Sequence, residues 1–207
     1  MYFMTINYAS DFMNNIFENG KERPEYLEAR LKAEEILNVN GLKTSNHIDI
    51  VKLARKYGFF VATATLPSQV QGMFFFDESG EKKYFGTNYS KLIVVEDNLT
   101  TEQKRFVVAH ELGHYFIDRG VVPCGEHLEL RVDNHNKLAK ENVFDYFAAC
   151  ILMPSDMVKA MISNTNITDS NSRCALVERL SNIFRVSQIV ASRRIDEVNA
   201  LMNSIAL

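Results

Sequence analysis

The sequence predicts an α+β fold: a small antiparallel or mixed sheet packed against a mainly helical core. Three observations predict it. Apolar residues recur at helical spacing toward both ends of the chain, the stretch from residue 59 to 97 is rich in β-formers, and strand and helix patterns do not alternate as a parallel βαβ sheet requires. With 207 residues, 46% hydrophobic and 24% charged, the chain can bury one good core, as one domain or one domain with a small appendage.

The elements follow in order. Residues 1 to 20 are mixed and polar and predict a loose arm or a short helix. PEYLEARLKAEEIL, 24–37, combines helical periodicity with high helix propensity, and Asn40-Gly41 ends it. HIDIVKLARKYG, 47–58, predicts a second helix with Gly58 as its stop. Strands are expected at 59–65, 71–76, 83–87 and 91–97, with DESGEK turning a hairpin between the middle two. Thr100 or Thr101 can cap the helix that follows, and helices are expected from there to the end. There is no internal repeat and no low-complexity segment.

Bulk properties narrow the function. A formal net charge of −3 gives no global pull toward nucleic acid or an anionic membrane. No apolar run approaches the roughly 18 residues needed to span a bilayer. The N-terminus lacks a basic segment followed by an unbroken apolar stretch, so it is not read as a signal peptide and the chain is expected in the cytoplasm. Cys124, Cys150 and Cys174 are odd in number and show no CxxC spacing, which argues against a disulfide framework or a cysteine-rich metal site.

The chemistry is carried by the helix RFVVAHELGHYFIDRG, 105–120. His110-Glu111-Leu112-Gly113-His114 is an HExxH motif. Two imidazoles four residues apart project from one helical face and can hold one metal ion, and the intervening glutamate can reach water at that ion. A catalytic zinc site takes three protein ligands and keeps a fourth position open. The spacing that would supply a third histidine fails, because Ile117 and Gly120 stand at its glycine and histidine positions. Asp118, Glu126, His127 and His135 are candidates; the last three lie in a polar connecting stretch, GVVPCGEHLELRVDNHN. Glu141, on the following helix ENVFDYFAACILMP, is a further candidate. Metal would neutralise a carboxylate entering that apolar surface. Asp145, one turn later on the same face, can accept a hydrogen bond from the second ring nitrogen of a metal-bound histidine. Both acids also suit a helix N-terminus for electrostatic reasons alone.

AHELGHYF followed, 27 residues past the second histidine, by E-x-x-x-D-x-F-A-A-x-I-L-M-P resembles the ImmA/IrrE family of metallo-endopeptidases over roughly residues 46 to 197. The resemblance implies a zincin-like core with zinc held by His110, His114 and Glu141, and Glu111 as catalytic acid and base. Three segments are expected: an N-terminal helical arm (1–45), a zinc peptidase-like domain (46–165), and a C-terminal helical pair resembling a helix-turn-helix (166–207) packed on that domain. Phe144 departs from the family pattern, which usually has alanine there. Family members are typically encoded in bacteria, phages and mobile elements, and often cleave or antagonise a separate helix-turn-helix repressor. The expectation is therefore a zinc metallopeptidase acting on one specific intracellular protein in transcription regulation.

Three secondary expectations complete the reading. Tyr89, Tyr115 and Tyr146 are possible oxyanion donors or simply packing residues. The strand KLIVVED, 91–97, is either a sheet edge that pairs with an extended substrate or a fully paired interior strand. LVERLSNIFRVSQIVASRRI, 176–195, resembles a helix-turn-helix in a locally basic segment. Its Arg193 and Arg194 offer an alternative function, a DNA-binding or non-catalytic metal-binding regulator, beside the more conservative role of docking.

Overall fold

The computed structural model describes residues 13–77, 79–81, 86, 88–118, 129–132 and 139–204. The fold is mixed α and β, as the sequence predicts, and it groups into two compact units: Ile48–Ala148, and a second that joins residues up to His47 with those from Ala149 onward.

The unit Ile48–Ala148 holds the sheet and the HExxH helix. Strands β3 (Phe60–Ala64), β4 (Val70–Phe76), β5 (Lys91–Glu96) and β6 (Glu129–Val132) lie in the order β3-β5-β4-β6. β5 is parallel to β3 on one side and antiparallel to β4 on the other, so KLIVVE is an interior strand. The substrate-pairing edge considered for it is not there, because both rows of its backbone groups are already taken within the sheet. β6 occupies the far side of β4 and arises within the stretch expected to be connecting chain. The strand expected at 83–87 lies, Gly86 apart, outside the described residues.

Strand alternation then decides what meets the helix. Phe75 on β4 joins Leu92 and Val94 of β5 in an apolar cluster on one face. Gly72, Phe74 and Phe76 point to the other face, toward helix α3 (Thr101–Ile117). Thr100 caps α3: its side chain accepts from the Gln103 amide while Gln103 accepts from the Thr100 amide. The helix thus starts at Thr101, as the expected cap at Thr100 requires. Every residue from Val107 to Tyr115 is buried. A shorter helix, α2 (Ile50–Lys56), is capped by Asp49 and precedes β3. Lys91, at the start of β5, donates to the Tyr57 carbonyl and the Tyr115 hydroxyl, and its ammonium lies 4.6 Å from the Tyr115 ring centre.

The other unit is mainly helical. Within the stretch expected to be an arm or short helix, residues 13–16 are helical, and a two-residue-a-side hairpin follows, β1 (Phe17–Glu18) with β2 (Lys21–Glu22). Asn19-Gly20 supplies its turn, both residues at positive φ. Helix α1 (Pro24–Val39) follows with proline in its first turn. Helix α4 (Ala139–Leu152) begins in the sheet-bearing unit and ends in this one, followed by α5 (Ser155–Ser163), α6 (Ser170–Phe184) and α7 (Gln188–Ser204). Arg185, in the left-handed region at φ 53°, breaks the chain between α6 and α7 where the turn was read. Arg194 is not on the surface. It is fully buried, donating to the Met153 carbonyl, the Ser155 hydroxyl and the Glu197 carboxylate. Cys150 is buried among these groups, its thiol pushed up to about 12 by burial, while Cys174 is exposed. Among the described residues no helix is long and apolar enough to cross a membrane.

Candidate metal centre

One helical turn separates His110 from His114, and α3 aims both rings at the same point. Their Nε2 atoms are 3.2 Å apart. From α4, the Glu141 carboxylate closes the group: Oε2 lies 3.2 Å from His110 Nε2, and Oε1 lies 3.9 Å from His114 Nε2. Asp145, one turn further along α4, meets the opposite nitrogen of His110, with 2.8 Å between Nδ1 and Oδ1. A carboxylate there accepts the Nδ1–H, so His110 presents a lone pair at Nε2.

The electrostatics of this arrangement call for a cation. Two imidazole nitrogens and a carboxylate oxygen converge within 4.8 Å of one another, and all three are electron-pair donors. Ligand bonds of about 2.0–2.2 Å in a tetrahedral site put neighbouring donor atoms roughly 3.3 Å apart; two separations here are 3.2 Å and the third is 3.9 Å. The residues present therefore fit a metal ion of the kind that accepts nitrogen and oxygen ligands. His110 is fully buried whereas the Glu141 side chain is 26% exposed, so the group opens to solvent on the Glu141 side.

Glu111 is buried between α3 and β4. The close approach depends on Gly72: a Cβ there would sit 2.6 Å from Glu111 Oε1 and 2.5 Å from Val107 Cγ1. A larger residue there would push the Val107 and Glu111 side chains out of place. Asp118 stands behind His114, its Oδ2 3.9 Å from Nδ1. It is placed on the ring's far nitrogen, not with the converging Nε2 atoms, so it is a neighbour of a ligand and not the third donor. Glu126, His127 and His135 lie outside the described residues. Of the three candidate tyrosines, Tyr115 accepts from Lys91, Tyr89 is exposed and stacks on Phe60 at 4.6 Å, and Tyr146 is fully buried.

A family model described as the IrrE N-terminal-like domain matches residues 68–196, well over half of the chain. The chain belongs to the Peptidase_M78 family. The resemblance carried by HELGH and the downstream E-x-x-x-D motif therefore holds, and the Peptidase_M78 match takes in β4, α3 and α4 with every residue of the converging group. Membership supports a peptidase, a hydrolase acting on protein. Comparison with curated proteins finds no match for the chain.

Sequence reasoning missed one residue at this site, Gly72. Asp118, named as a candidate third ligand, lies one turn past His114 and is placed instead beside that ring's Nδ1. Gly72 carried no local signal, because its importance comes from strand β4 crossing α3, a contact between distant parts of the chain.

Proposed function

We propose that this chain is a zinc-dependent metallo-endopeptidase that cleaves a specific intracellular protein such as a helix-turn-helix repressor. The observation that carries the chemistry is the convergence of His110 Nε2, His114 Nε2 and the Glu141 carboxylate on one point. Zinc held there would supply Lewis-acid polarisation of the scissile carbonyl and a lowered pKa for the attacking water. Glu111 takes the proton from that water and delivers it to the leaving amine nitrogen. Burial against Gly72 keeps its carboxylate close to α3 instead of in bulk solvent. Asp145 holds His110 in the tautomer that presents Nε2. The open Glu141 side gives a peptide bond access to the group.

Specificity for one protein rests on the family resemblance and not on the site geometry. The DNA-reading alternative loses one of its two principal residues, since Arg194 is buried by partners of its own. Arg173, another cation of that segment, pairs with Asp196 at 3.0 Å.

The test is hydrolysis of helix-turn-helix repressors by the purified chain, followed by mass spectrometry. One dominant cut that requires zinc and disappears in Glu111→Gln, with the metal retained, supports the proposal. Metal-independent cutting, or broad digestion of casein, contradicts it.

A further inference from the structure

Phe144 stands between Glu141 and Asp145 on α4, within one turn of both acids. Its surroundings are specific. Gly113 on α3 lets the helices close until an added Cβ there would lie 3.3 Å from Phe144 Cβ and 3.5 Å from its Cα. At that separation the Phe144 ring lies against His114, with centroids 3.9 Å apart and planes tilted by 44°. The same ring meets His110 edge-on, at 5.9 Å and 81°. Phe74 from β4 stacks on His114 from a greater distance, 6.4 Å at 23°. Phe144 is 1% exposed, so this contact is an interior one.

His110 has a 2.8 Å hydrogen bond to Asp145. At His114 the carboxylate of Asp118 stands 3.9 Å from Nδ1, and the Phe144 ring lies against the imidazole. The last torsion of a histidine is broad, so the angle at which Nε2 presents its lone pair must be set by what touches the ring. A flat neighbour at van der Waals distance does this. It also keeps water from that side of the donors, which strengthens their attraction for a cation.

Resting on the metal-centre reading above, we infer that Phe144 is a positioning residue for the metal. It sets the orientation of His114 through ring contact and thereby raises affinity for zinc. Phe144 acts on the ligand and does not merely fill the helix interface.

Zinc affinity separates these roles without reference to turnover. Dissociation constants are measured by competition with a chromophoric chelator, in the Glu111→Gln background, for Phe144→Leu, Phe144→Ala and Phe147→Leu. Phe147 is a fair control: it is fully buried on the same helix, touches Gly113 and packs on the Phe116 ring at 6.2 Å. Phe144→Leu keeps most of the volume and is expected to weaken zinc about tenfold, with Phe144→Ala weaker still, as for other groups that orient ligands. Phe147→Leu is expected to lower thermal stability with zinc affinity within about twofold of the parent. Parental affinity in both Phe144 variants overturns the inference, as does equal loss in Phe147→Leu. A parent protein that binds no zinc overturns the metal centre itself, and this inference with it.

Discussion

Two buried polar clusters in this molecule look alike in composition and differ in logic. Around Arg194, three guanidinium nitrogens meet three acceptors: the Met153 carbonyl, the Ser155 hydroxyl and the Glu197 carboxylate. Positive faces negative and donor faces acceptor, so the cluster is complete in itself. Around His110, two imidazole nitrogens and a carboxylate face one another, and each brings an electron pair. Burying such a group without a cation or a proton between its members is costly. Complementary partners mark a cluster that holds structure together; like-for-like partners mark one that binds something.

The largest expected effect comes from removing a donor. Glu141→Ala should abolish near-stoichiometric zinc binding and with it zinc-dependent stabilisation. At a free zinc concentration about 1,000 times Kd, ligation stabilises a folded chain by about 4 kcal/mol. Denaturant melts with and without zinc should therefore separate for the parent and coincide for Glu141→Ala.

Breaking the Arg194 cluster tests the other side. Arg194→Ala leaves the Glu197 carboxylate buried without its cation, and about 3–5 kcal/mol of stability should be lost, with or without zinc. A zinc-dependent loss in urea melts would mean that the two clusters do not differ as described.

A smaller effect sharpens the metal centre. Asp145→Ala should weaken zinc by about 10–100-fold, the usual consequence of losing a carboxylate that orients a histidine ligand. Asp118→Ala should cost less, because its contact with His114 is 3.9 Å against 2.8 Å for the Asp145 pair. Isothermal titration of both variants ranks them, and the reverse order would contradict the geometry.

The smallest effect concerns pH. Burial pushes the Glu197 carboxyl up from 4.5 to about 7, with Arg194 pulling the other way. Between those values the native chain holds a proton that the unfolded chain has released, so this group makes stability fall as pH rises through that window. Glu197→Gln should flatten that part of the profile of urea midpoint against pH; an unchanged slope would contradict the assignment.

The sequence exposed these features unequally, for a physical reason. His110, Glu111 and His114 were legible because a helix brings residues four apart together by itself, and Glu141 and Asp145 repeat that spacing on α4. The Thr100 cap was legible for the same local reason. Strand pairing is not local. KLIVVE reads identically as edge or interior, and only the positions of β3 and β4 on either side make it interior. β6 was hidden in a polar stretch, and Gly72 depends on where β4 crosses α3. Arg194 left DNA reading and docking both open, because an arginine at the end of a basic run often faces solvent, whereas here Glu197, one turn on, and two oxygens far back in the chain draw it inward.

X-ray absorption at the zinc edge of the loaded protein tests the central claim most directly, since it counts the atoms around the metal without any appeal to activity. Two imidazole nitrogens at about 2.0–2.1 Å with oxygen completing the set, and loss of that pattern in Glu141→Ala, is the result predicted. A sulfur neighbour at about 2.3 Å, or a shell containing no imidazole, would contradict it.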